Sequence, residues 1–173
     1  LARVQYEDLE PVLDARTALA RQSFVLPTRR LARGDAAAAI ASAARRLQGS
    51  LAVGGQEHFY LEGQVAAALP GEDCTMQVWC STQHPSEVQR LVAHCLGWSS
   101  KDVVVQCRRM GGGFGGKETQ PALLACVAAL GARQTGRAVK LRLDRDADFL
   151  VTGKRHPFAL DYEVGFDDDG LIR

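Results

Sequence analysis

The chain has 173 residues, 46% of them hydrophobic and 24% charged, with a net charge of +1. That composition fits one globular domain, or two small layers sharing a core, and gives no electrostatic reason to expect a nucleic-acid or anionic-membrane partner. No apolar run reaches the roughly 18 residues of a membrane span, and the mixed opening is not a secretory leader.

In chain order, Val4-Gln5-Tyr6-Glu7 alternates like a strand, and the opening reads like the interior of a longer protein. Residues 27–35 read as a linker, with Asp35 placed to cap an alanine-rich helix over 36–47. Residues 50–60 and 63–69 alternate as strands, the second closed by Pro70-Gly71, and Cys74–Cys80 reads as another. Val88, Leu91, Val92 and Cys95 have amphipathic helical spacing over Ser86–Leu96, with Pro85 at the start and Gly97 at the stop. Lys101–Cys107 returns as a strand, so 74–107 is expected to be a βαβ unit. An apolar helix over Thr119–Ala132, a strand over Ala138–Leu143 and a hairpin turning at Asp168-Asp169-Gly170 complete an α+β fold of mixed sheets with packed helices.

Between strand and helix lies Met110-Gly-Gly-Gly-Phe114-Gly-Gly-Lys117-Glu118. Five glycines in six positions raise the entropic cost of ordering, beyond what packing is expected to require. Gly111, Gly116 and Lys117 match the start of a phosphate loop, but Glu118 stands where a magnesium-binding hydroxyl is needed. Gly111, Gly113 and Gly116 match a dinucleotide fingerprint, yet residues 119–143 contain no acidic residue for the ribose. What survives is a loop able to offer N–H groups and a positive helix end to an anionic group.

Gln56, in a polar cluster beside a glycine pair, is a neutral amide able to hold an oxygen, or else part of a solvated turn. Glu57 and His58 have acid–base composition, but as strand neighbours they are expected to face apart. Glu118 is either a helix-dipole carboxylate or a group presented to the loop's ligand, and Lys117 is expected in solvent. His84, His94 and His156 lack metal-ligand spacing. Cys74, Cys80, Cys95, Cys107 and Cys126 form no C-x-x-C and are expected to be buried reduced thiols in a cytoplasmic protein, without an iron–sulfur cluster on this chain.

Four segments in register, GGQEHFYLE (54–62), TQHPSEVQ (82–89), RRMGGGFGGKE (108–118) and DRDADFLVTGKRHPF (144–158), resemble the molybdenum-binding subunit of bacterial xanthine dehydrogenases. The resemblance runs from about residue 50 to the C-terminus. It implies that residues 35–173 are the N-terminal portion of the first molybdenum-cofactor-binding domain, with 1–34 leading in from a preceding one. The implied cofactor is molybdenum on molybdopterin, its cytosine dinucleotide form left open, with iron–sulfur clusters and FAD on other domains or subunits. The implied activity is purine hydroxylation, hypoxanthine to xanthine to urate, in purine catabolism, with electrons passing to NAD. Aldehyde or other N-heterocycle oxidation, or a non-catalytic assembly module, are the alternatives.

By the same resemblance, Gln56 hydrogen-bonds a molybdenum oxygen, and Phe114 lies with Gly112, Gly113 and Gly115 against the metal site. Glu118 binds the purine and offsets charge developing on its ring, where aldehyde-oxidising relatives generally lack a carboxylate. The family's distal base and substrate-orienting residues are absent from these 173 residues. The chain alone is therefore expected to be inactive, with the rest of the molybdenum subunit and an iron–sulfur/flavin subunit as its partners.

Overall fold

The computed structural model describes residues 3–172, which divide into two compact units, residues 56–155 and the remainder on either side.

The first unit is a ribbon with two short helices. Strand β1 (Arg45–Val53) pairs antiparallel with strand β6 (Phe158–Phe166) along its whole length, from Arg45 opposite Phe166 to Val53 opposite Phe158. Helix α1 (Ala15–Ala20) starts at Asp14, whose carboxylate accepts the Thr17 N–H at 2.8 Å, and helix α2 (Ala36–Ser42) starts at Asp35, which accepts the Ala38 N–H at 3.0 Å. Three expectations fail here. Val4–Glu7 forms no strand; local alternation has no partner to pair with. The alanine-rich helix stops at Ser42 rather than 47, because residues 45–47 join the ladder with β6. The tail does turn at 167–170, but Phe166–Ile172 is a single bridge, and β6 pairs instead with a strand more than a hundred residues earlier.

The second unit is a four-stranded mixed sheet covered on one face by two helices. Its strands, β2 (Val65–Pro70), β3 (Met76–Cys80), β4 (Val103–Gln106) and β5 (Val139–Arg142), lie in the order β4-β3-β2-β5. β3 and β4 run parallel, joined through helix α3 (Pro85–Leu96), so the expected βαβ unit is present. Helix α4 (Pro121–Thr135) starts two residues later than expected and runs on to Thr135. Ala66 and Ala68 of β2 meet Ala125, Ala128, Ala129 and Ala132 of α4, all essentially fully buried. Small side chains on both partners let helix and sheet approach closely. Met76, Val78, Val88, Val92, Leu96 and Val103 complete the core.

A seven-residue helix α5 (Arg145–Val151) follows β5, in a stretch with no element expected. Its signal was legible, since Asp144 stands as an N-cap and accepts the Ala147 N–H at 2.8 Å. Residues 54–64, expected to be largely strand, leave the ladder after Val53 and run as an irregular segment. Among the described residues no helix is long and apolar enough to cross a membrane.

Candidate functional site

The parts of the four sequence motifs between residues 56 and 155 come together within the second unit. Residues 56–64 form a segment clamped from beneath by α5 and the residues after it. Gln56 and Arg155 exchange backbone hydrogen bonds of 3.1 and 3.0 Å, and Glu57 pairs with the Lys154 ammonium at 2.6 Å. The Arg145 guanidinium donates to the carbonyls of Tyr60 (2.8 Å) and Leu61 (2.7 Å), holding a turn in which Phe59 adopts a φ of 50°. The buried Tyr60 hydroxyl donates to Asp148 at 2.6 Å, and Asp148 also accepts the Gln64 N–H at 2.9 Å. Burial, and then the hydrogen bond to Asp148, push the Tyr60 phenol above its ordinary range.

The glycine loop packs on this segment. Gln64 Nε2 donates to both the Tyr60 oxygen (2.9 Å) and the Gly116 carbonyl (3.0 Å). Packing does explain much of the glycine content, contrary to the expectation from composition. A Cβ at Gly116 would lie 2.7 Å from both the His58 and Tyr60 rings. One at Gly113 would lie 2.6 Å from Gln83 Oε1, and one at Gly111 2.6 Å from the Glu62 side chain. Gly112 and Gly115, with φ of 97° and 86°, supply the left-handed turns.

The anion cradle is partly filled by the protein itself. Gln83 Oε1 accepts the N–H groups of Gly115 (3.0 Å) and Lys117 (3.2 Å). Lys117, expected in solvent, is fully buried. Its ammonium donates to the Glu62 carbonyl at 2.6 Å, to Ser81 Oγ at 2.8 Å and to Glu62 Oε2 at 3.3 Å, and lies 4.7 Å from the centre of the Tyr60 ring. A phosphate-loop lysine must reach the ligand, so this burial removes that reading. Burial raises the Glu62 carboxyl, but the Gly111 N–H, the Ser81 hydroxyl and Lys117 outweigh it and hold the carboxyl below its ordinary range.

Part of the loop backbone is left without protein partners, although Gly113 is buried and Gly112 half-buried. Among the described residues, the N–H groups of Gly112, Gly113 and Phe114 have no protein partner. Phe114 has a φ of 52° and is 73% exposed, an unusual state for a large apolar residue and one that requires its surroundings to hold it. Gln56, Glu57, His58, Phe114 and Arg155 line one hollow of about 440 Å³. Glu57 and His58 thus share a site after all, because no strand alternation operates where the segment is irregular. Glu57 is not poised as a base, however. Burial raises its carboxyl, but Lys154 and the Phe59 and His58 N–H groups together lower it. Glu118 is exposed and has no partner among the described residues; it lies outside the residues lining the hollow, one position beyond buried Lys117.

Gln83, Glu62, Arg145 and Asp148 carried no functional assignment from the sequence, although each lies in one of the four motifs. Of the cysteines only Cys80 is buried, its thiol pushed up to about 12 chiefly by burial; Cys74 and Cys95 are exposed, against expectation. No group of His, Cys, Asp or Glu among the described residues could hold a metal ion directly.

Comparison with known proteins identifies the family. The family model described as molybdopterin cofactor-binding domain matches residues 20–173, and the chain belongs to this family. It is 46% identical to xanthine dehydrogenase of Drosophila subobscura and 44% identical to aldehyde oxidase 2 of Cavia porcellus, each over 99% of this chain and 13% of the relative. The chain therefore spans a small part of the relatives it matches. Among solved structures it superposes on aldehyde oxidoreductase from Desulfovibrio gigas with a TM-score of 0.72 at 30% identity, covering 80% of this chain and 15% of that one. Quinoline 2-oxidoreductase from Pseudomonas putida 86 gives 0.70 at 28%, covering 82% and 18%.

The residues present fit such a cofactor. The unpartnered Gln56 amide and the Phe114 N–H are neutral donors suited to oxygen atoms of an anionic complex, both on residues that line the hollow, and the unpaired N–H groups of Gly112 and Gly113 lie just before Phe114 in the chain.

Proposed function

We propose that this chain forms one wall of the active site of a molybdenum hydroxylase of the xanthine dehydrogenase type, acting on purines. The observation that carries the substrate choice is Glu118, an exposed carboxylate without a partner, following a loop whose anchoring groups are otherwise fixed. When bound, the molybdenum cofactor supplies oxygen transfer and two-electron redox chemistry. Gln56 donates its amide to an oxygen of that group without changing the local charge. Gly112, Gly113 and Phe114 present N–H donors, Gly115 shapes the turn, and the Phe114 ring excludes water from one side. Glu118 accepts N–H groups of the purine edge and steadies charge that develops on the ring, an interaction stronger in the transition state than in the ground state.

In this reading residues 35–173 are the start of the first molybdenum domain and 1–34 lead into it. The base and the remaining cofactor contacts lie elsewhere in the subunit, and the chain alone is inactive. Electrons leave through iron–sulfur and flavin centres on other domains or subunits to NAD, in the cytoplasm. A second reading, an aldehyde or N-heterocycle oxidase, is favoured by the 44% identity to aldehyde oxidase 2.

Glu118→Gln and Glu118→Val in the complete enzyme separate the two. Purine turnover should fall roughly 10²-fold or more, with molybdenum content near normal and aldehyde turnover much less affected. Equal losses on both substrates, or lost molybdenum, would overturn the assignment.

A further inference from the structure

We infer that Lys117 is a positioning residue of this site, locking the loop that carries Phe114 and Glu118 against the segment that carries Gln56. The inference rests on the active-site reading above. It begins from a cost: a fully desolvated ammonium is unfavourable unless every proton finds an acceptor. Here the three acceptors are the Glu62 carbonyl, Glu62 Oε2 and Ser81 Oγ, and the Tyr60 ring covers one side of the cation.

Those partners close a ring. Glu62 donates its own N–H to the Gly111 carbonyl at 3.1 Å, and its Oε2 accepts the Gly111 N–H at 2.8 Å. The first residue of the loop and the ammonium at its end therefore land on the same glutamate. The Lys117 backbone is bound as well. Its N–H meets Gln83 Oε1, and its carbonyl accepts from the Gln83 N–H at 2.8 Å and Thr82 Oγ1 at 3.1 Å.

A loop of five glycines has no side chains of its own to hold it, so this clasp supplies the order that composition withholds. Phe114 sits at the middle of the closed ring and Glu118 is the next residue past the anchor. The reach of Phe114 and Glu118 relative to Gln56 is thus set by a group that touches neither cofactor nor substrate. Reacting groups lose rate steeply when displaced by about 1 Å, which makes such a clasp visible in turnover.

The test uses the complete cofactor-loaded enzyme with Lys117→Met, Ser81→Ala, Glu118→Gln and the Lys117→Met/Glu118→Gln double variant. Hydrogen exchange of the 111–117 amides, molybdenum content, melting temperature, and kcat and KM for a purine are measured on each. Lys117→Met should speed exchange at the Gly115 and Lys117 amides about tenfold and lower kcat by about 10- to 100-fold, leaving KM less affected. Ser81→Ala, which removes one acceptor only, should move both readouts in the same direction and less far. The double variant should lose no more than the worse single variant, within about threefold.

Unchanged exchange and kcat in Lys117→Met, multiplicative losses in the double variant, or a rate loss that follows molybdenum content would overturn the inference. If Lys117→Met does not accumulate as folded protein, Ser81→Ala decides alone, and normal exchange with normal kcat refutes the clasp. A Glu118→Gln variant without purine-selective loss would sink the substrate reading instead, and the exchange data would still decide Lys117.

Discussion

Glu62 shows how one side chain couples the loop to pH. Its depressed carboxyl pKa means that the folded state favours the charged form, so its stabilisation is present above the unfolded value of about 4.5. It is lost as pH falls through the lower folded value. The side chain is 39% exposed, so the effect is discounted for solvent to under about 1 kcal/mol. The stability advantage of the native chain over Glu62→Gln, read from urea midpoints, should therefore shrink as pH is lowered from about 6 to about 3. An advantage that stays constant across that range would mean the carboxylate contributes no charge-dependent stability.

At the scale of elements, α5 matters out of proportion to its seven residues, because Arg145 and Asp148 on it hold the turn at Phe59 and the buried Tyr60. A helix this short has little intrinsic stability and depends on its cap and its packing. Asp144→Ala should cost about 1 kcal/mol, the usual loss of an N-cap acceptor. Exchange at residues 145–151 should rise with it, and so should exchange at Tyr60–Gln64, whose acceptors and donors α5 supplies. A destabilisation confined to α5, with Tyr60–Gln64 unaltered, would show that the two pieces are not coupled.

On the scale of the whole molecule, the two units should differ in rigidity. The helix-covered sheet holds the buried core, whereas seven of the nine residues of β1 are exposed in a two-stranded ribbon, an arrangement marginal by itself in water. Amides of β1 and β6 should exchange faster than those of β2 and β3 in the isolated chain. The exposed apolar residues Val25, Leu31, Leu61 and Leu150 should also bind a dye sensitive to hydrophobic surface. Equal protection of both sheets, together with a dye-silent monomer, would contradict this picture.

What the sequence determined by itself was local or motif-borne. The βαβ unit, the caps at Asp35 and Pro85, the stop at Gly97 and the family resemblance all depend on neighbours a few residues apart or on strings of residue types. The tertiary structure decided what depends on distant chain. It ended α2 at Ser42 by recruiting residues 45–47 to a ladder with β6, and it left Val4–Glu7 unpaired. It turned the expected strand over 54–60 into a clamped segment on which Glu57 and His58 face one hollow. Most sharply, it buried Lys117 beneath Tyr60 and filled the glycine loop with the Gln83 amide. Spacing along a chain reports periodicity, but a buried charge is tolerated only where acceptors from separate segments meet, and only the folded chain shows that meeting.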